Sequence, residues 1–337
     1  MSRSKAQRVG VVGATGLVGR EFLDLLNRRQ FPIAQLRLFA SGRSAGQRVP
    51  FQGSGVLVED LTQADPSGLD VVFFSAGRSV AHQYTPRFTE AGAVVIDNSS
   101  AFREDPQVPL VVPEVNAGQL RASSSRIIAN PNCSTIIMLL PLAPLYRAFG
   151  IQEIVVSTYQ SVSGAGQAAL DDLLGQARAF AQGEQETWTH YDRPIFLNLI
   201  PRIGDWTEDG ECLEERKLAR ETWRILEDDT FPIYATTVRV PVERCHSESI
   251  FLRTKRDVTT REVVAVLEDA PGISLLDLPT PRELARREEV FVGRIRVDSQ
   301  DPHVVRFWVV ADQLWKGAAL NAIQIAEQLI DMGRLSS

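Results

Sequence analysis

The chain has 337 residues, which at roughly 150 residues per domain points to two domains. With 44% hydrophobic and 23% charged residues it has the composition of an ordinary folded protein, which excludes a wholly disordered chain, collagen and a coiled coil. A net charge of −6 provides no global field for nucleic acid or anionic lipid and leaves only local anion pockets.

The N-terminal stretch 1–8 is polar and lacks the apolar segment of a secretory signal. No apolar run reaches the roughly 18 residues of a spanning helix. The three cysteines, Cys133, Cys212 and Cys245, are too few for a disulfide framework and are not spaced for structural zinc. The expectation is a cytoplasmic protein with no metal, no membrane and no nucleic-acid partner.

In chain order, the first half alternates short β-rich runs with helical stretches. Residues 8–12 read as a buried strand. Residues 17–29 read as a helix with Val18, Phe22, Leu25 and Leu26 on one face. Strands are expected at 35–40, 71–74, 93–96 and 125–129, and a helix at 80–90. This alternation predicts a Rossmann-like doubly wound parallel sheet with right-handed crossovers, a nucleotide-binding pattern.

From residue 134 the pattern changes. Longer strands at 153–159, 234–242, 249–254, 290–297 and 304–310 follow one another with short connections. Helices are expected at 167–181, 213–227 and 260–270, and an amphipathic helix at 317–332. The expectation is an α+β domain with a mainly antiparallel sheet. The expected domains are 1–134, completed by the C-terminal helix 317–337, and 135–316.

Glycines at 10, 13, 16 and 19 lie between the first strand and the first helix. Glycine permits positive φ and close approach of backbone to a phosphate. The helix N-terminus adds free amides and the positive end of its dipole. The spacing is a variant of the dinucleotide fingerprint. After the second strand an NAD site usually offers an acid to the ribose hydroxyls. Here the residues are Ser41-Gly-Arg-Ser44, with Arg43, Ser41 and Ser44 able to hold a 2′-phosphate, which predicts NADP over NAD.

Asn130-Pro-Asn-Cys133 follows a buried strand and precedes an apolar stretch at 136–149. Pro141 and Pro144 are expected to make that helix irregular or to delay its start. Cys133 thus reads as a strand-to-helix residue, where free amides activate a thiol and can form an oxyanion hole. From position alone it reads equally as an inert buried cysteine. A cysteine nucleophile needs an acid/base partner. Of four histidines, His246 stands out, just after a strand-like run.

These segments resemble the aspartate-semialdehyde dehydrogenase family. The resemblance rests on Gly13-Ala-Thr-Gly-Leu-Val-Gly19, Asp97-Asn-Ser-Ser-Ala-Phe-Arg103, Asn130-Pro-Asn-Cys-Ser-Thr135, Ser157-Thr-Tyr-Gln-Ser-Val-Ser-Gly-Ala-Gly166, Glu214-Glu-Arg-Lys217, Arg239-Val-Pro-Val242, His246-Ser-Glu248 and Lys316-Gly-Ala-Ala319, in family order across nearly the whole chain.

The resemblance implies NADPH-dependent reduction of 4-aspartyl phosphate to aspartate 4-semialdehyde with release of phosphate, in lysine, methionine, threonine and diaminopimelate synthesis, by a homodimer. It implies Cys133 as nucleophile and thioester site, His246 as acid/base, and Gln160 as the residue orienting the acyl intermediate. Arg239 corresponds to the residue that grips the substrate carboxylate, Glu214 to the one that meets its amine, and Lys217 and Arg103 to phosphate ligands, with Asn132 also at the substrate. Gly13, Thr15, Gly16, Leu17, Val18, Ser41, Arg43, Ser44, Ser163, Gly164 and Gln313 correspond to NADP contacts. The chain departs from the family at Cys245, where Gly is usual, at Gln313, where Asn is usual, and at the bulky Trp315. Cys245 is expected to perturb the turn or to act as a redox-sensitive neighbour. Three other readings remain open: N-acetyl-γ-glutamyl-phosphate reductase, an archaeal-type malonyl-CoA reductase, and a non-catalytic nucleotide-binding paralogue.

Overall fold

The computed structural model describes residues 6–335, so the polar reading of residues 1–5 and the last two positions of the expected segment 317–337 lie outside the described residues. The chain divides into two compact units, one made of Met1–Asn132 with Ala318–Ser337 and the other of Cys133–Gly317.

The first unit is built around a seven-stranded sheet. Its elements are β1 (Gln7–Val12), α1 (Leu17–Arg28), β2 (Ile33–Ala40), β3 (Arg48–Phe51), β4 (Ser54–Asp60), β5 (Val71–Phe74), α2 (Arg78–Glu90), β6 (Val94–Asp97), the short helices α3 (Pro113–Asn116) and α4 (Gly118–Ala122), and β7 (Ile127–Ala129). The strand order is β3-β4-β2-β1-β5-β6-β7. All neighbours are parallel except β3 and β4. Helical crossovers cover both faces of a parallel sheet, so its central strands are apolar throughout. Val71, Val72, Phe73 and Phe74 are accordingly all fully buried.

The hairpin β3–β4 was not among the expected elements. Pro50 lacks an N–H, which suits the edge position that β3 occupies. On α1, Phe22 stacks on Phe73 with ring centroids 4.8 Å apart.

In the second unit the elements are α5 (Cys133–Phe149), β8 (Ile151–Gln160), a 3-10 turn (Val162–Ala165), α6 (Gln167–Gln182), α7 (Leu213–Leu226), β9 (Ile233–Arg239), β10 (His246–Thr254), α8 (Thr260–Glu268), β11 (Ile273–Leu275), α9 (Pro281–Leu284), β12 (Val290–Val297) and β13 (Val304–Ala311). Its six-stranded sheet runs β11-β12-β13-β10-β8-β9. The three central pairings are antiparallel, and β9 and β11 add parallel edges.

Two local expectations need correction. The helix after Cys133 is not delayed by proline: α5 starts at Cys133 and runs through Pro141 and Pro144. Proline removes a backbone hydrogen bond in a helix interior. Here nearly every residue from Ser134 to Leu142 is buried, and that packing offsets the loss. The strand expected at 234–242 stops at Arg239, because Pro241 has no N–H and the Val242 amide turns back to the Val240 carbonyl at 2.8 Å.

The last expected helix is also subdivided. A π-helical turn (Trp315–Ala319) comes first, and α10 (Leu320–Asp331) follows and joins the first unit. There Arg29 pairs with Glu327 through two bonds of 2.8 and 2.7 Å.

Candidate active site

Strand register assembles the site in the second unit. Gln160 pairs with Arg239 across β8 and β9. Ser247 pairs with Tyr159 across β10 and β8, which sets His246 level with Gln160. Residues level with one another on paired strands share a face. Gln160, Arg239 and His246 therefore form one buried row at the end of the sheet. The other histidines lie elsewhere: His82 and His190 are exposed, and His303 is half-buried.

Cys133 opens α5, and its Sγ lies 3.4 Å from His246 Nε2. On the far side of the ring, the Ser161 amide donates to Nδ1 at 3.1 Å, and Ser161 Oγ lies 3.1 Å from the same nitrogen. An Nδ1 that accepts from an amide leaves the proton of the neutral ring on Nε2, facing the sulfur. When Nδ1 is itself protonated, Ser161 Oγ is the acceptor at hand. Burial, then the charge of Arg239, hold the His246 pKa well below its ordinary value, so the ring is neutral at neutral pH.

Glycine leaves the room this pair needs. A Cβ on Gly164 would meet His246 Cε1 at 3.0 Å and Arg239 Nη1 at 3.3 Å. A Cβ on Gly317 would meet the Cys133 Cβ at 2.9 Å.

Around the pair lie the polar residues singled out from sequence. Gln160 Nε2 donates to Ser134 Oγ at 2.6 Å and lies 3.4 Å from Glu214 Oε1. Glu214 and Lys217 share a face at the start of α7, with Nζ 3.2 Å from Oε2. Arg239 Nη1 donates to the Ser161 carbonyl at 2.6 Å, while its buried Nε has no partner. An unsatisfied buried guanidinium donor is costly, and an anion placed there would satisfy it. Ser161 and Ser134 were not singled out from sequence, since serine gives little periodic signal. Both nevertheless lie inside motifs that were.

In the first unit, Arg103 is buried rather than on the surface. Its Nε donates to the Asn130 carbonyl at 2.9 Å and its Nη2 to the Asn98 carbonyl at 2.8 Å. Asn130 is held in turn by the side chains of Asn98 and Asn321. This network fixes the end of β7, from which the chain passes through the buried Asn132 to Cys133.

The glycine loop lies in the same unit. Gly13 has φ +82°, and a Cβ there would meet the Ser75 carbonyl oxygen at 2.2 Å. A Cβ on Gly19 would meet the Gly13 carbonyl oxygen at 2.2 Å. Gly16 caps α1 with no side-chain bond, and Leu17 and Val18 form its uncapped first turn. Thr15 Oγ1 donates to Ser44 Oγ at 3.3 Å, and Ser41 and Arg43 are exposed on the turn after β2. The loop is thus a backbone cradle that side chains would fill, with an exposed cation beside it.

The chain is similar to known proteins over nearly its whole length. Residues 8–123 match the NAD binding domain of semialdehyde dehydrogenases, and residues 142–316 match their dimerisation domain. An aspartate-semialdehyde dehydrogenase of Aquifex aeolicus is 46% identical over 335 residues, covering 97% of this chain and 98% of that protein.

The chain belongs to the aspartate-semialdehyde dehydrogenase family.

Among solved members, aspartate semialdehyde dehydrogenase II of Vibrio cholerae, in complex with ASA, superposes with a TM-score of 0.94. It is 42% identical, with 97% of this chain and 99% of that one covered. The Candida albicans family member solved with NADP has a TM-score of 0.76 at 28% identity, with 96% and 98% covered.

The departures from the family pattern have structural correlates. Cys245 replaces the usual glycine at a backbone position with φ +71°, in the left-handed region. That conformation costs a non-glycine residue about 1–2 kcal/mol. Its thiol is fully buried, and burial, then Asp312, push its pKa far up, which makes it a poor redox sensor. Gln313 is buried between Cys245 and Ser163. Trp315 is buried in the π-helical turn, with the Arg244 guanidinium 5.9 Å from its ring centroid.

Proposed function

We propose that this chain reduces 4-aspartyl phosphate to aspartate 4-semialdehyde with NADPH, releasing phosphate, through a thioester on Cys133. The observation that carries this reading is the 3.4 Å approach of Cys133 Sγ to His246 Nε2 beside a buried Arg239 with an unsatisfied donor.

The Cys133 thiolate attacks the acyl carbon of the substrate, the carbon–oxygen bond to phosphate breaks, and phosphate leaves. In the tautomer protonated at Nδ1, with Ser161 Oγ as its acceptor, His246 Nε2 takes the Cys133 thiol proton as the sulfur attacks and gives a proton back as the later tetrahedral species collapses. The amides of the first turn of α5 face developing negative charge on the acyl oxygen. Gln160, a neutral amide anchored on Ser134, orients the acyl group without adding charge. Arg239 binds the substrate carboxylate through its planar fork, Glu214 meets the ammonium group, and Lys217 and Arg103 take the phosphate, with Asn132 at the substrate as well.

The first unit binds the dinucleotide. Its glycine cradle, from Gly13 through Val18, fits the pyrophosphate, and Arg43 with Ser41 and Ser44 fits the 2′-phosphate of NADP. When bound, NADPH supplies the hydride that reduces the thioester.

The second unit carries catalysis and makes a homodimer. The match to the dimerisation domain supports this, as do Val155 and Tyr234, exposed on the sheet. The protein works in the cytoplasm, which suits three cysteines that form no disulfide with one another. Among the described residues no helix is long and apolar enough to cross a membrane.

The test is the reverse reaction, with purified protein, aspartate 4-semialdehyde, phosphate and NADP, followed by NADPH absorbance. Phosphate-dependent turnover that prefers NADP over NAD is the expected result. Bound NADP without turnover would overturn the assignment.

A further inference from the structure

We infer that Gln313 is a positioning residue for His246, acting through the backbone of Cys245. Both ends of its carboxamide are engaged within the second unit. Oε1 accepts from the Cys245 amide at 2.8 Å, and Nε2 donates to Ser163 Oγ at 2.7 Å. Ser163 Oγ in turn donates to the Glu243 carbonyl. Ser163 belongs to the same turn as Ser161, whose amide holds His246 Nδ1.

The bonds therefore close a ring. It runs from Ser161 to the imidazole of His246, along the chain to Cys245, through Gln313, and back to Ser163. The ring holds His246 at its Nδ1 and at the amide just before it, which leaves Nε2 aimed at Cys133.

The need for such a brace follows from Cys245. At φ +71° a residue with a Cβ occupies a conformation that glycine adopts freely. A bond to its amide keeps the turn in that state. The two departures, cysteine for glycine and glutamine for asparagine, are thus in direct contact. An asparagine carries the same carboxamide about 1.5 Å, one C–C bond, nearer the main chain, and would not reach the Cys245 amide and Ser163 Oγ without a shift of the backbone. Through the bond at Oε1, Gln313 acts on the turn that carries the acid/base, while one N–H and one lone pair of its carboxamide stay available.

The inference rests on Cys133 and His246 being the reacting pair, so its test uses a readout that needs no turnover. In cofactor-free protein, iodoacetamide alkylation is measured across pH 6 to 9 in the wild type, Gln313→Met and Gln313→Asn. Cys133→Ser serves as a blank that assigns the signal, and Cys245→Gly as a variant that keeps the braced amide. NADP affinity is measured by fluorescence titration. Gln313→Met keeps the volume and loses both bonds, and Gln313→Asn loses the span.

The expected result is alkylation about tenfold slower at pH 6 to 7 in both Gln313 variants, with a profile moving toward that of an unassisted thiol. At saturating NADP kcat should fall as well. Cys245→Gly should keep the wild-type profile. Superimposable profiles would overturn the inference, and a weaker NADP affinity alongside them would make Gln313 a cofactor contact instead. If Gln313→Met does not fold, Gln313→Asn decides. Absent turnover in the wild type would refute the proposed function and leave the alkylation readout intact.

Discussion

The glycine loop at 13–19 and the row Gln160, Arg239 and His246 do different work with different parts of the chain. The loop presents backbone. A Cβ at Gly13 or Gly19 would run into a carbonyl oxygen at 2.2 Å, and the N-terminus of α1 has no side-chain cap. The row presents side chains, buried and fixed by their neighbours on a sheet. A backbone site is damaged by adding atoms, whereas a side-chain site is damaged by removing or reshaping them. The two should therefore fail separately.

The largest effect should come from Cys133→Ser. Loss of the thiol is expected to lower kcat at least about a thousandfold. NADP affinity, measured by titration, should be unchanged because the loop is untouched. Comparable turnover in the variant would remove Cys133 from the reaction, and lost NADP binding would break the separation of the two sites.

Arg239→Lys should come next. A point charge cannot reproduce the fork, and a charged hydrogen bond is worth about 1.5–3 kcal/mol. The expected rise in KM for aspartate 4-semialdehyde is about 10- to 100-fold. An unchanged KM would remove the carboxylate role.

Arg43→Ala tests the exposed cation on the turn after β2. It should weaken NADP about tenfold and NAD hardly at all, since only NADP carries the 2′-phosphate. Equal weakening of both would show that Arg43 does not read that group.

The last effect is on stability rather than on turnover or binding. Glu248 lies two residues along β10 from His246, opposite Thr158, fully buried, with both carboxyl oxygens unpartnered. Burial raises its pKa well above the ordinary value. The folded state then holds a proton that the unfolded state has released, so stability is full below about pH 4.5 and is lost as pH rises through the raised pKa. Glu248→Gln cannot titrate. Its melting temperature should exceed the wild-type value at pH 8, and the difference in stability should widen by up to about 1.4 kcal/mol per pH unit above 4.5 until the raised pKa is passed. Parallel melting curves across pH 5 to 9 would show that Glu248 is not the source.

Much of the fold was legible in short windows. Apolar runs placed β5 and β12 residue for residue, at Val71–Phe74 and Val290–Val297. Helical spacing put Glu214 and Lys217 on one face, and they are 3.2 Å apart. The β3–β4 hairpin was missed because a short, polar, proline-bearing edge carries little pattern. The proline-based expectation for α5 failed because local propensity gave way to packing on nearly every side. Arg103 reads as a surface arginine by residue type, yet main-chain acceptors at Asn98 and Asn130 hold it inside.

By itself the sequence determined the alternation of elements, the glycine loop and the motifs that identify the family, because each is encoded within a few consecutive residues. The meeting of Cys133 with His246 across 113 positions belongs to the tertiary structure, as do the levelling of His246 with Gln160 and Arg239 and the bracing of Cys245 by Gln313. Those contacts depend on strand register, and register is set by which faces the whole sheet buries.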